Sequence, residues 1–166
     1  MNGMETVLLF AQMIATGALA GWLTLGVRDN ILHPSINETY TAEVMDMTRM
    51  RSEYPEVYEQ VSHRAVSDRK LQQFAFRAVI AMELCASILL WIGVLFLFLS
   101  IFGAVRPDTA RVVAILGATA FLAVWTGMLI VGNYFCYWLC HDGAQNTHYQ
   151  MALWGIGTLI FLAQSA

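Results

Sequence analysis

Charge is what this sequence has least of. Only 13% of its 166 residues are charged, against about 25% in an ordinary soluble domain. With 58% hydrophobic residues and a mean hydropathy of +0.57, the composition excludes a water-soluble globule and names lipid as the main solvent. The net charge of -3, without a clustered basic face, excludes nucleic acid as a partner. Cysteine is scarce: three residues are too few for a disulfide scaffold, and Cys136 and Cys140, one helical turn apart, are badly placed for a bridge. There is no G-x-S-x-G, no H-E-x-x-H and no Gly-rich phosphate loop. The pairs Ser62-His63 and Cys140-His141 are sequence neighbours, whose side chains point apart, so nucleophilic catalysis lacks a base in reach. The sequence reads as non-enzymatic. No internal repeat is present, which argues against a lone carrier.

What is present is a set of long apolar runs. Residues 7–27 carry no charge and have the length of about 20 residues that crosses a hydrocarbon core. With no Lys or Arg before it and no cleavage site after it, this run reads as a first transmembrane helix rather than a leader. Further spans are expected over 74–105, 112–140 and 149–164. The expected fold is an all-α membrane protein, a single domain over 1–166, with four transmembrane helices in an antiparallel bundle. Gly17 and Gly21 form a G-x-x-x-G pair, and Gly117, Gly127 and Gly132 are further positions for close helix approach.

Residues 28–73, between the first two spans, hold most of the Lys and Arg. Here a pair of amphipathic helices is expected over the end of the bundle. Val44, Met47 and Met50 lie on one helical face with Glu43, Asp46, Arg49 and Glu53 around them, and Pro55 starts a second short helix. Ser67 is placed to cap the next helix, Asp108 or Thr109 the third span, and Thr147-x-x-Gln150 has the form of a capping box for the fourth, after a stop at Gly143.

Polar chemistry is concentrated in Gly132 to Trp154, which holds two Cys, two His and several aromatics between apolar runs. Tyr134, Trp138, His141, His148 and Trp154 are the candidate ligand-binding residues. Glu83, Asn133 and Gln150 are expected to be buried polar groups. A carboxylate at the depth of Glu83 costs at least about 2.5 kcal/mol and needs a partner. The spacing C-x3-C-H-x6-H fits no common zinc pattern, so no metal is assigned. No cofactor is required, although a quinone, pigment or lipid would suit an interfacial aromatic pocket. None of the four His lies inside a span, which argues against a haem held between facing helices.

With these segments in place the chain resembles a family of predicted small bacterial integral membrane proteins of unknown function. The likeness is carried by Asp29-Asn30, by the V-M-D-M-T stretch from Val44 to Thr48, by Glu83, and by G-N-Y-F-C-Y-W from Gly132 to Trp138. Asn133 stands where that family has Glu, and Gln145-Asn146 stands near its Asn-Gly-Gln. The resemblance implies a multi-pass protein of the bacterial inner membrane with 28–73 on the periplasmic side, whereas the count of Lys and Arg alone favours the cytoplasm for that segment. It implies no activity.

Two functions follow as expectations. The first is a non-catalytic accessory subunit that docks on other integral membrane subunits of a respiratory or photosynthetic complex. The alternative is a binding protein for a quinone, pigment or lipid held between the third and fourth spans.

Overall fold

The computed structural model describes residues 3–165, and every regular element in them is helical. Helix α1 (Gly3–Leu32) has no internal proline and stops where Pro34 disfavours helical backbone at the residue before it. Leu9, Leu19, Ala20, Leu23 and Val27 lie on its buried face. Short helices α2 (Pro34–Asp46), α3 (Thr48–Glu53) and α4 (Pro55–Val61) follow, with a single 3-10 turn at Ser62–Arg64. Then come three long helices: α5 (Arg69–Ile101), α6 (Pro107–Tyr134) and α7 (Asp142–Leu162).

Several boundaries differ from the sequence expectation, each for a local reason. The expected Met-faced helix is two helices, because Met47 adopts a left-handed φ of 52° and turns the chain. Both Met47 and Met50 are nevertheless buried, packed with Phe135 and Cys140 beneath α3. Asp68, rather than Ser67, caps α5 by accepting from the Lys70 N–H at 2.8 Å, while the Ser67 hydroxyl donates to Asp46 Oδ1. Helix α6 begins on Pro107, whose φ is already helical, and no side chain caps it; Asp108 lies in its first turn. It ends at Tyr134 instead of continuing to 140, because Cys136 takes a φ of 51° and Tyr137 N–H returns to the Gly132 carbonyl at 3.1 Å. Helix α7 starts at Asp142, so Gly143 and Thr147 are inside it. The Thr147 hydroxyl donates to the Gly143 carbonyl at 3.0 Å and forms no capping box.

The long helices alternate in direction. At one end Gln12 Nε2 donates to the carbonyls of Phe161 (2.9 Å) and Gln164 (3.0 Å), and Arg111 reaches Glu5 at 2.6 Å, which joins the start of α1 to the end of α7 and the start of α6. At the other end Asn30 Nδ2 donates to Glu83 Oε2 at 2.9 Å, which joins the end of α1 to the first half of α5. The chain termini and the turn between α5 and α6 therefore share one end, and α2 to α4 share the other with the turn between α6 and α7.

Close helix contact is concentrated in the first of these halves. A Cβ on Gly93 would lie 2.8 Å from Ala114 Cα, and one on Gly117 would lie 2.8 Å from Leu90 N, so α5 and α6 touch backbone to backbone. Gly155 on α7 lies against the Phe121 side chain instead, its Cβ position 3.3 Å from the ring. The expected Gly17/Gly21 contact is not of this kind: Gly17 clears Val94 by 3.8 Å and Gly21 has nothing within 4 Å.

Among the described residues three helices, α1, α5 and α6, are long and apolar enough to cross a membrane. Helix α7 has 21 residues, about 31 Å at 1.5 Å per residue. Its first turns are polar, and the apolar run is confined to Met151–Leu162, well short of the usual span of about 20 residues.

Candidate ligand-binding cavity

Where the glycine contacts stop, the bundle opens. Gly127 has nothing within 4 Å of its Cβ position, and beside it lies a cavity of about 840 Å³. That volume is within the range of about 300 to 1,000 Å³ typical of small-molecule sites. Its walls come from α5 between Ala75 and Glu83, from α6 between Ala123 and Gly132, and from the start of α7 between Gly143 and His148. Helix α2 closes one side with Asn37, Tyr40, Thr41, Val44 and Met45. No residue of α2 is itself buried, so this helix lies over the opening instead of forming part of the core. Met82, Ala123 and Val131 at the rim are exposed apolar residues on the flanks of α5 and α6.

Polar groups in the wall are few. Glu83 is 5% exposed, and its hydrogen-bond partner is Asn30. Asn30 in turn accepts from Asn37 Nδ2 at 2.6 Å, so a line of three side chains links α5, α1 and α2. The Asn30 amide is used at both ends, which fixes its orientation: nitrogen toward the carboxyl, oxygen toward Asn37. No Lys or Arg lines the cavity among the described residues. The aromatic part of the wall is Phe76, Trp125, Phe135, Tyr137 and Tyr40. The His148 ring lies between Trp125 (centroids 5.6 Å apart) and Tyr137 (5.9 Å, stacked). Tyr137 is held by the sharp turn at Cys136, and its ring fills the space beside Gly132, where a Cβ would come within 2.7 Å. Burial pushes the Tyr137 phenol up to about 12, so it stays protonated, at a long 3.5 Å from His148 Nδ1. The indole N–H of Trp125 is buried without a hydrogen-bond partner among the described residues.

The structure separates the residues that the sequence grouped together. Of the five candidate ligand residues only His148 lines the cavity. Tyr134 and Trp138 are exposed, and the Tyr134 ring lies under the Arg64 guanidinium at 5.5 Å. His141 is buried, edge-on to Tyr40 at 4.9 Å. Burial lowers its pKa, helped by Arg49 and opposed by Glu43 and Glu53. Trp154 packs on the main hydrophobic core. Glu83 is buried and partnered as expected, but Asn133 and Gln150 are exposed, because α6 ends at Tyr134 and α7 turns that face outward. Asn30, Asn37, Trp125 and Tyr137 were not singled out from sequence as site residues. The available signal was two Asn flanking the Pro34 break and a Trp placed in the third apolar run opposite the polar turn.

No curated protein and no solved structure matches this chain. The profile of one family does match, over residues 8–165, nearly the whole length. The chain therefore belongs to the DUF2165 family of predicted small integral membrane proteins.

Proposed function

We propose that this protein holds a membrane-soluble small molecule in the cavity beneath α2, as a non-catalytic binding protein. The observation that carries the reading is the combination of volume and wall: about 840 Å³ lined by apolar and aromatic side chains, with Glu83, Asn30 and Asn37 as a compact polar patch at one side. Such a wall suits a molecule that is largely apolar with one polar head, which a quinone, a pigment or a lipid each satisfies. The exposed rim at Met82, Ala123 and Val131 offers entry from hydrocarbon. This reading moves the site from the face between α6 and α7 to the space that α5, α6 and the start of α7 enclose beneath α2.

The reading includes four passes through a bacterial inner membrane. The alternation of the long helices supports it; α7 completes a crossing only with its polar first turns among headgroups. By family resemblance, α2 to α4 lie on the periplasmic side. A membrane-impermeant thiol reagent should then label Ser52→Cys from outside intact cells in a Cys-free background; protection there would invert the orientation.

An accessory-subunit role has less behind it. Gly17, on the face expected to dock, is turned toward Val94 of its own bundle. The cavity reading is tested by photocrosslinking with a diazirine-bearing apolar probe. Adducts should concentrate on Ala78, Val79 and Met128 in the cavity wall. Labelling confined to outward residues such as Phe98 and Ile130 would count against it.

A further inference from the structure

Glu83 is the one carboxyl group in the cavity wall among the described residues, and it has no cationic partner. Its single hydrogen bond comes from the neutral amide of Asn30 to Oε2; Oε1 has no donor among the described residues. The other titratable groups in the wall are His148, Tyr40 and Tyr137. An ionisable side chain placed beside hydrocarbon is either paired or kept neutral by a proton, and where the protein supplies no cation, a ligand that carries one can take the proton's place. The rest of the wall has the second property that a cation seeks. Trp125, Tyr137, Tyr40, Phe76 and Phe135 line the same space, and aromatic side chains attract cations where water is excluded.

The same chain handles its other deeply buried charges differently. Arg111 and Glu5, at the opposite end of the bundle, neutralise each other at 2.6 Å with side chains only 7% and 11% exposed. Glu83 is buried to a similar degree, yet the protein leaves it without an Arg or Lys.

We propose that the cavity takes a lipophilic cation, with Glu83 as its counter-ion and the surrounding rings as its wall. This rests on the cavity being a binding site and names the charge class of what enters it. A ligand of this kind is an apolar body bearing a quaternary ammonium, a phosphonium or a protonated amine.

The test uses the full-length protein in lipid nanodiscs and three probes of similar size and shape: tetraphenylphosphonium, tetraphenylborate and the neutral tetraphenylsilane. Wild type should bind tetraphenylphosphonium at least tenfold more tightly than tetraphenylborate. Glu83→Gln should weaken the phosphonium by tenfold or more and leave the neutral probe within twofold. Equal affinity of wild type for the two ions, or undiminished phosphonium binding by Glu83→Gln, overturns the inference. If Glu83→Gln does not fold, the comparison of the two ions on wild type decides alone. Filling the cavity with Gly127→Leu separates the two levels of the claim. Loss of the neutral probe in that variant, together with indifference to Glu83→Gln, keeps the cavity and removes the cation. Unchanged binding of all three probes to Gly127→Leu removes both.

Discussion

Arg111 on α6 donates through Nη2 to Glu5 on α1 at 2.6 Å and through Nε to Gln12 Oε1 at 3.1 Å, with Arg111 and Glu5 almost fully withdrawn from solvent. Gln12 passes the connection on to the carbonyls of Phe161, in the last turn of α7, and of Gln164 just beyond it, so three helices share one polar knot at this end. Arg111 holds Glu5 and Gln12 together, and breaking a buried ion pair by removing one member costs about 3 to 5 kcal/mol. Arg111→Met should lower the unfolding free energy by about that amount. Arg111→Met with Glu5→Gln should lose less than the sum of the two single changes. Equilibrium unfolding in mixed detergent micelles reads both, and additive losses would contradict the coupling.

Gly117 sets how near α5 and α6 approach. Its Cβ position is 2.8 Å from the Leu90 nitrogen and 2.9 Å from the Leu89 carbonyl carbon, and backbone cannot rotate aside as a side chain does. Gly117→Ala should therefore destabilise by about 1 to 3 kcal/mol, the usual cost of overpacking. Gly21→Ala, with open space around it, should be neutral within about 0.5 kcal/mol. Matching thermal midpoints for the two variants would refute this ordering.

Met47 poses a contest between backbone and side chain. Its left-handed φ of 52° costs about 1 to 2 kcal/mol in a non-glycine residue, which Gly would relieve. Its side chain, however, is 2% exposed and packs with Met50 and Phe135, and deleting a buried Met costs about 2 to 5 kcal/mol. Lost packing outweighs relieved strain, so Met47→Gly should be less stable than wild type by about 1 to 3 kcal/mol. A gain in stability would show that the cluster beneath α3 contributes little.

His141 gives the turn between α6 and α7 a dependence on pH. Burial, aided by Arg49, holds its folded pKa below the ordinary histidine value of about 6.5. As pH falls through that value the unfolded chain takes up a proton that the folded one refuses. Stability should therefore drop on acidification and level off below the folded pKa. His141→Gln should show a flatter stability profile between pH 7.5 and 5. An unchanged slope would mean that another group dominates.

The architecture was largely legible in the sequence because hydrocarbon imposes long uncharged helices, and α1, α5 and α6 announce themselves by length alone. Their ends were less legible. Met47 and Cys136 terminate helices with left-handed backbone at residues that seldom adopt it, and composition carries no warning of that. The turn at Cys136 matters most, since a third span continued to 140 places Tyr134 and Trp138 about one turn apart on one helix. In the folded chain both are exposed, and Tyr137 takes the inward place. Glu83 was readable as a buried acid in need of a partner. Its partner, Asn30, stands 53 positions away on another helix, a pairing that periodicity does not specify. Nor does sequence pattern reveal an unfilled space: Gly117 and Gly127 look alike in the chain, yet one is pressed against backbone and the other borders the cavity.

The central claim, that the space beside Gly127 is occupied by a small molecule in the membrane, is tested most directly by native mass spectrometry of the protein released from its own membranes. Wild type should carry one small molecule per chain, and Gly127→Leu, folded to the same extent, should fly without it. Bare wild-type protein, or an adduct equally abundant on Gly127→Leu, would contradict the account.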